Sequence, residues 1–233
     1  MQVLLFLHRL YFFVILNIRN KKTYKMKKII FLFIISSLIS IKGIGLTLSP
    51  ETEVSILTCA PGNELYSLFG HTAIRINDPR HQIDRVYNYG TFDFSTPHFY
   101  LKYARGLLPY QLTVQKFSHF IYNYQLEERT VYAQTIRLDS LEKQRIFDLL
   151  EENLLPQNRY YLYNFLFDNC TTRSRDILLK SLPDSVAWNM PDVNKNFWNL
   201  LDEYLQASPW VQWGIHTILG QRGNRMATTF QYM

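Results

Sequence analysis

Cys170 has the surroundings in which a thiol becomes a nucleophile. An apolar, aromatic run comes just before it, and Asp168 or Asn169 can then cap a helix. This order places Cys170 in the first turn of that helix, where unpaired N–H groups and the helix dipole favour a thiolate. Arg173 adds positive charge on the same helical face. The alternatives are a small buried side chain or a disulfide with Cys59, and the local pattern does not choose between them.

His71 is the candidate base for this nucleophile. It follows Gly70 and precedes residues 72–77, whose alternating apolar and polar side chains predict a strand. A neutral imidazole held at the end of a strand can accept the proton of Cys170. A lone histidine is also common as a structural or surface residue.

A third group usually fixes the tautomer of the histidine in such a pair. If residues 85–89 form a strand paired with that of His71, Asn88 is the best-placed candidate and Asp93 lies behind it. An asparagine in this position is also ordinary for a turn or a strand edge. The residues predicted to be catalytic are Cys170, His71 and Asn88, and the supporting residues are Asn169, Arg173 and Asp93.

Spacings typical of metal ligands do not occur in the sequence. Two cysteines are too few for a four-cysteine zinc site or a disulfide scaffold. No two histidines or cysteines have a His-x-x-x-His or Cys-x-x-Cys spacing. We therefore expect neither a metal nor another cofactor.

The elements that position these residues are a mixture of strands and helices. Apolar or alternating runs predict strands at residues 54–60, 72–77, 85–89, 110–117 and 130–138. Gly90 is expected to end the third of these strands. An aromatic segment at residues 160–167 leads toward Cys170 and is predicted to be a further strand. Helical spacing predicts helices at residues 64–69, 98–105, 141–153, 173–182 and 197–205. Asp139 and Glu142 form a capping box for the helix at 141–153. The mixture predicts one compact α+β domain.

The positive charge of the chain is confined to its start. The 233 residues include 25 lysines and arginines and 19 acidic residues, which gives a net charge of +6. Of all residues, 47% are hydrophobic, and this content excludes intrinsic disorder. Residues 1–45 hold eight of the bases and no acid, so that residues 46–233 carry 17 bases and 19 acids, a net charge of −2. No basic cluster remains for nucleic-acid binding.

Residues 1–45 are predicted to be a leader. From Met26, two lysines, the apolar run at 29–41 and two glycines form the pattern of a secretory signal. Residues 1–25 contain another apolar stretch, which is explained either by a true start at Met26 or by a retained anchor with two apolar segments. In both cases residues 46–233 are expected to form an exported domain.

Three segments of the sequence resemble one known family. They are LYSLFGHT at residues 65–72, YNYGTFDF at 87–94 and YNFLFDNCTTR at 163–173, and they are similar to the periplasmic domain of Lnb-type lipoprotein N-acyltransferases. The likeness runs from about Leu46 to the end of the chain. That family is similar to permuted papain-like enzymes, such as the lecithin–retinol acyltransferase group, in which the histidine precedes the cysteine. The resemblance implies a permuted papain-like α+β domain, with an antiparallel sheet packed against helices and the nucleophile at a helix N-terminus.

The resemblance also implies a reaction. Cys170 matches the acylated nucleophile and His71 its base, and the reaction moves an acyl chain from the glycerol of a diacylglyceryl lipoprotein to the amine of its amino-terminal cysteine. The implied partner is such a lipoprotein, or another acyl donor at the membrane surface, in the periplasm or the membrane-associated cell envelope. Full-length relatives continue into a transmembrane region, so that this chain is expected either to be truncated at its C-terminus or to be a soluble relative with a different substrate.

Two other interpretations stay open on the residues alone. A papain-like peptidase or amidase that acts on cell-wall peptides uses the same kind of cysteine–histidine pair. A non-catalytic envelope module joins Cys59 and Cys170 in a disulfide, which exported proteins can form. Both enzyme interpretations require a free, reactive Cys170, whereas the third does not.

Overall fold

An antiparallel sheet of six strands forms the centre of the fold. The computed structural model describes residues 45–183 and 194–228. The strands are β1 (Glu53–Cys59), β2 (His71–Asp78), β3 (Ile83–Phe92), β4 (Pro109–Lys116), β5 (Val131–Thr135) and β6 (Tyr160–Leu162). They lie in the order β5-β1-β2-β3-β4-β6, and every pairing is antiparallel. The described residues from Thr47 onward form one compact unit.

Six α-helices accompany the sheet within the described residues. They are α1 (Phe99–Arg105), α2 (Phe117–Leu126), α3 (Ser140–Leu154), α4 (Cys170–Ser181), α5 (Phe197–Leu205) and α6 (Pro209–Leu219). Short 3-10 helices occur at Leu65–Ser67 and Gly220–Arg222. In the described part of the chain, none of these helices combines the length and apolar character that crossing a membrane requires. The predicted α+β class is confirmed.

Successive side chains of the central strands point to opposite faces of the sheet and form one apolar layer on each face. Ile74 of β2 and Tyr87 of β3 face each other in register, and both are fully buried in the larger layer, which α3 and α4 cover. Ala73 and Val86 belong to the smaller layer on the other face, where Phe120 of α2 packs. Burial of one such aliphatic side chain contributes about 2 kcal/mol to stability. The larger layer holds α4 against β2 and β3 and so positions the start of that helix.

Three predicted strands differ from the structure by three or more residues at one end. Gly90 does not end the third strand, because β3 continues to Phe92 with an irregular register against β4. The predicted strand at 130–138 ends at Thr135. The aromatic piece at 160–167 is a strand only as far as Leu162, because the backbones of Asn164 and Asp168 bond to each other and reverse the chain.

Two helices have no counterpart in the prediction, and one is shorter than predicted. Helix α2 follows β4 directly, and its N-cap, Lys116, makes no side-chain capping hydrogen bond that the sequence could have revealed. Helix α6 follows α5, so that the helix predicted at 197–205 is not the last one. The helix predicted at 64–69 is a single 3-10 turn. The predicted leader, apart from Gly45, lies outside the described residues.

Candidate active site

Cys170 is the first residue of helix α4. Asn169 caps the helix, because its side-chain oxygen accepts hydrogen bonds from the backbone N–H groups of Thr171 and Thr172, both at 3.0 Å. The Thr172 hydroxyl in turn accepts from the Asn169 N–H at 2.8 Å, which completes a capping box. The N–H of Cys170 has no acceptor inside the helix, because it lies in the first turn. It is available to an oxygen atom of a substrate.

Asn88 determines which nitrogen of His71 carries the proton. The Oδ1 atom of Asn88 accepts a hydrogen bond from the backbone N–H of Gly90 at 2.7 Å, which identifies it as the amide oxygen. The same atom lies 2.8 Å from Nε2 of His71. Since this oxygen can only accept, Nε2 must be the protonated nitrogen, and Nδ1 is left with its lone pair for the cysteine.

Cys170 and His71 form a coupled pair. Burial alone would raise the pKa of the Cys170 thiol, but the charge of His71, a hydrogen bond with its imidazole and the backbone of Thr72 lower this pKa from 9.0 to about 7. Burial lowers the pKa of His71, whereas the charge of Cys170 and hydrogen bonds with Cys170 and Asn88 outweigh it and raise this pKa above 6.5. Both shifts favour a thiolate beside an imidazolium at neutral pH.

Two further contacts surround the pair, one between β2 and α4 and one between β3 and the imidazole of His71. The hydroxyl oxygens of Thr72 on β2 and Thr171 on α4 lie 3.0 Å apart. Gly90 on β3 lies against the imidazole, since a Cβ atom at that position would be 2.4 Å from Cε1 of His71. Neither contact was predicted, because each depends on the tertiary approach of two elements rather than on a local sequence pattern.

A cavity of about 430 Å³ opens at the pair, within the volume range of small-molecule sites. His71, Asn88 and Cys170 all line it, and so does the capping residue Asn169. Aromatic side chains make up much of the rest of its wall: Tyr66, Phe69, Phe92, Tyr103, Tyr110, Phe120, Tyr124, Tyr163 and Phe165. Burial raises the pKa of Tyr103 to about 12, so that its hydroxyl stays neutral.

Two of the predicted supporting residues have other partners. Arg173 forms a two-pronged ion pair with Asp168, at 2.6 and 2.8 Å, and its guanidinium lies over the ring of Tyr161. Its charge is therefore matched by a carboxylate, and the group that lowers the pKa of Cys170 against the effect of burial is mainly His71. Asp93 is exposed and closes a turn with Ser95 after β3, and it is not part of the cavity wall.

Cys59 and Cys170 are both free thiols in the structure. Cys59 is buried in the smaller apolar layer, and burial raises its pKa to about 11 although a hydrogen bond with Tyr124 opposes the shift. The described residues also contain no group of three or more histidine, cysteine, aspartate and glutamate side chains arranged to hold a metal ion. Cys170 and His71 supply the cavity with a thiolate, an imidazole and a backbone N–H donor.

Comparison with known proteins gives one match. The family model for the Lnb N-terminal periplasmic domain matches residues 47–202, which is more than half of the chain. The matched region includes His71, Asn88 and Cys170. Searches of curated proteins and of solved structures give no match.

Proposed function

The chain belongs to the family of Lnb N-terminal periplasmic domains, and we propose that it is a cysteine acyltransferase of the cell envelope. Membership of this family indicates a periplasmic location. The observation that carries the proposal is the placement of Cys170 beside His71, whose imidazole is hydrogen-bonded to Asn88, on the wall of an aromatic cavity. We further propose that residues 1–45 direct export and that the domain is permuted papain-like, since a histidine on a strand precedes a cysteine at a helix N-terminus.

The first half of the proposed reaction forms a thioester. The thiolate of Cys170 attacks the carbonyl carbon of a glycerol ester, and the N–H of Cys170 donates a hydrogen bond to the oxyanion that develops. As the bond between carbon and glycerol oxygen breaks, the protonated Nδ1 of His71 gives its proton to the departing oxygen. The acyl group then resides on the cysteine, and the glycerol hydroxyl is free.

The second half transfers the acyl group to an amine. The amino-terminal amine of the lipoprotein attacks the thioester carbon while Nδ1 of His71 accepts the amine proton. The carbon–sulfur bond breaks, an amide forms, and the thiolate–imidazolium pair is restored. The net change converts one ester and one amine into one amide and one alcohol, without any oxidation or reduction.

The experiment that tests the proposal locates the acyl chain on the lipoprotein. Because migration within one molecule leaves its total mass unchanged, tandem mass spectrometry of the amino-terminal peptide is needed to distinguish an ester from an amide. We expect Cys170→Ala and His71→Ala to abolish amide formation. Cys59→Ala is the matched control, since it removes the other thiol and should leave amide formation intact.

Two outcomes would count against this function. Amide formation that persists in Cys170→Ala would exclude the cysteine as nucleophile. Release of peptides from purified peptidoglycan, lost in Cys170→Ala while lipoproteins stay unchanged, would instead identify the protein as a cell-wall amidase or peptidase. A thiol titration of the native protein comes first, because a Cys59–Cys170 disulfide would leave no free thiol and exclude both enzymes.

A further inference from the structure

Helix α6 is apolar, and the rest of the described protein leaves much of it uncovered. None of its eleven residues is buried, and none of them is aspartate, glutamate, lysine or arginine. Trp210 is 84% exposed and Trp213 is 67% exposed. Thr217 is exposed too, and the spacing i, i+3, i+7 puts the three side chains on one helical face. We propose that this face docks on the anionic surface of a phospholipid bilayer.

The composition of the exposed face fits a bilayer interface. Tryptophan is enriched at the boundary between lipid headgroups and acyl chains, because its ring is apolar and its N–H needs a polar partner. A helix of eleven residues is too short to span a bilayer but can lie in the plane of the interface. Ile218, which is also exposed, adds apolar surface beside the tryptophans.

Basic side chains beside α6 supply the complementary charge. Arg222 and Arg225 follow the helix, and both are exposed. Lys102 and Arg105 lie in the last turn of α1, which contacts α6. None of these four side chains forms an ion pair with another residue in the described ranges. Anionic headgroups attract such residues by about 1 kcal/mol each, or roughly fivefold in affinity.

Nearby acidic residues are already paired. Asp202 of α5 accepts a hydrogen bond from Nε2 of His216 at 2.8 Å, and Glu203 pairs with Lys195. These contacts use both carboxylates of α5 within the protein. Among the described residues of α5 and α6, no carboxylate is therefore left without a partner.

The position of α6 also connects the docking face with the cavity. Helix α6 contacts α1 and α5, and each of these contributes a side chain to the cavity wall, Tyr103 and Leu201. Docking would hold the cavity close to lipid. Only the benefit of this position for catalysis rests on the proposed acyl transfer. Binding to the bilayer itself does not depend on Cys170.

Tryptophan fluorescence tests the docking at the residues concerned. The purified chain is mixed with vesicles of phosphatidylglycerol and phosphatidylethanolamine that contain a lipid brominated on its acyl chain. We expect quenching in the wild type, in Trp198→Phe and in Cys170→Ala, and loss of most of this quenching in the double variant Trp210→Phe/Trp213→Phe. Trp198→Phe is the matched control, because Trp198 lies outside α6.

Charge provides a second readout. We expect Arg222→Gln and Arg225→Gln each to weaken binding to these vesicles by roughly fivefold, and vesicles of phosphatidylcholine alone to bind poorly. Quenching that is equal in the wild type and in Trp210→Phe/Trp213→Phe would overturn the proposal. A blue shift that rises with protein concentration in the absence of lipid would overturn it too, since a second copy of the chain would then cover the face. A wild-type chain that shows this quenching but transfers no acyl group would contradict only the proposed function.

Discussion

The chemistry of Cys170 depends on the orientation of one imidazole ring. The Gly90 N–H identifies the Asn88 oxygen, this oxygen accepts a hydrogen bond from the Nε2–H group of His71, and Nδ1 is thereby directed to the thiol. The chain of hydrogen bonds therefore ends on a backbone group, which cannot change its role as donor. A site fixed in this way is organised before any substrate binds, as an efficient nucleophile requires.

Alkylation of Cys170 should follow its lowered pKa. Above pH 7 most of the Cys170 side chain is thiolate, because its pKa is about 7 rather than 9.0. We expect the rate of reaction with iodoacetamide to reach half its maximum near pH 7. In His71→Ala the stabilising charge is absent while burial remains, so the midpoint should return to 9.0 or above.

The Cys59→Ala background keeps this measurement specific. Cys59 has a pKa of about 11 and should not react at neutral pH, so removal of its side chain should leave the midpoint unchanged. A wild-type midpoint near 9.0 would show that Cys170 is an ordinary thiol and would contradict the pairing with His71.

Gly90 should tolerate no side chain. A Cβ atom there would lie 2.4 Å from Cε1 and 3.0 Å from Nδ1 of His71, so that Gly90→Ala must displace the imidazole. A displacement of about 1 Å in a catalytic group costs on the order of 100-fold in rate. We expect a loss of that order in Cys170 alkylation at pH 7, with the circular dichroism spectrum of the fold retained.

Gly214 offers the matched substitution. It lies in α6, and a Cβ atom added there would meet no heavy atom within 4 Å, so that Gly214→Ala should stabilise the helix by about 1 kcal/mol. Its alkylation rate at Cys170 should equal that of the wild type. Equal rates in Gly90→Ala and Gly214→Ala would show that the imidazole has room to move.

The residues of the site were predictable to different degrees. Cys170 and Asn169 stand in a local pattern, a cap before a helix, and His71 and Asn88 follow from the pairing of two alternating strands. The contact of Thr72 with Thr171 joins residues 99 positions apart, and no local pattern indicates it. Local rules predict where a side chain lies on its own element, whereas the approach of two elements is a property of the whole fold.

At the scale of elements, the start of α4 controls the thiol. Asn169→Ala removes a cap that satisfies two N–H groups, and the expected cost is about 1 kcal/mol in the free energy of unfolding. Because fraying of the first turn also moves Cys170, we expect slower alkylation and a higher thiol pKa. Urea denaturation and the pH profile of alkylation measure the two effects separately.

A second helix provides the control for this prediction. Asn196 caps α5 with the same capping box, since its side chain accepts from the Asn199 N–H at 2.8 Å. Asn196→Ala should lose a similar amount of stability without any change in the pKa of Cys170. If both variants slow alkylation equally, the effect reflects global stability rather than the start of α4.

The elements themselves were predictable where a cap or a clear period marks them. Helix α3 begins at the capping box of Asp139 and Glu142, which the sequence shows directly. Helix α2 has no such mark, since Lys116 makes no capping bond and the alternating strand β4 runs straight into it. Its aromatic residues suit a strand as well as a helix, and only packing against the smaller apolar layer decides between them.

For the molecule as a whole, one buried carboxylate joins the beginning of the domain to the sheet. Asp78 at the end of β2 is fully buried and accepts hydrogen bonds from the N–H and the hydroxyl of Ser49, at 2.8 and 2.7 Å. His81 lies 2.8 Å away on the other side. Burial alone would raise the pKa of Asp78, but these hydrogen bonds hold it well below 3.8.

This lowered pKa predicts how the stability of the domain depends on pH. The surroundings of Asp78 in the folded protein stabilise its ionised form, which has no such partners in the unfolded chain. This contribution to stability is complete above the unfolded pKa of about 3.9 and is lost progressively as the pH falls from there toward the lower pKa of the folded state. Asp78→Asn should therefore be less stable than the wild type by about 3 kcal/mol at pH 7, and by less at pH 3. Urea denaturation at pH 7, 5 and 3 measures this difference.

Asp84→Asn is the control, because Asp84 is 42% exposed in its ion pair with Arg75 and should contribute about 1 kcal/mol at most. A difference between wild type and Asp78→Asn that stays constant from pH 7 to pH 3 would mean that Asp78 has the same pKa in the folded protein as in the unfolded chain.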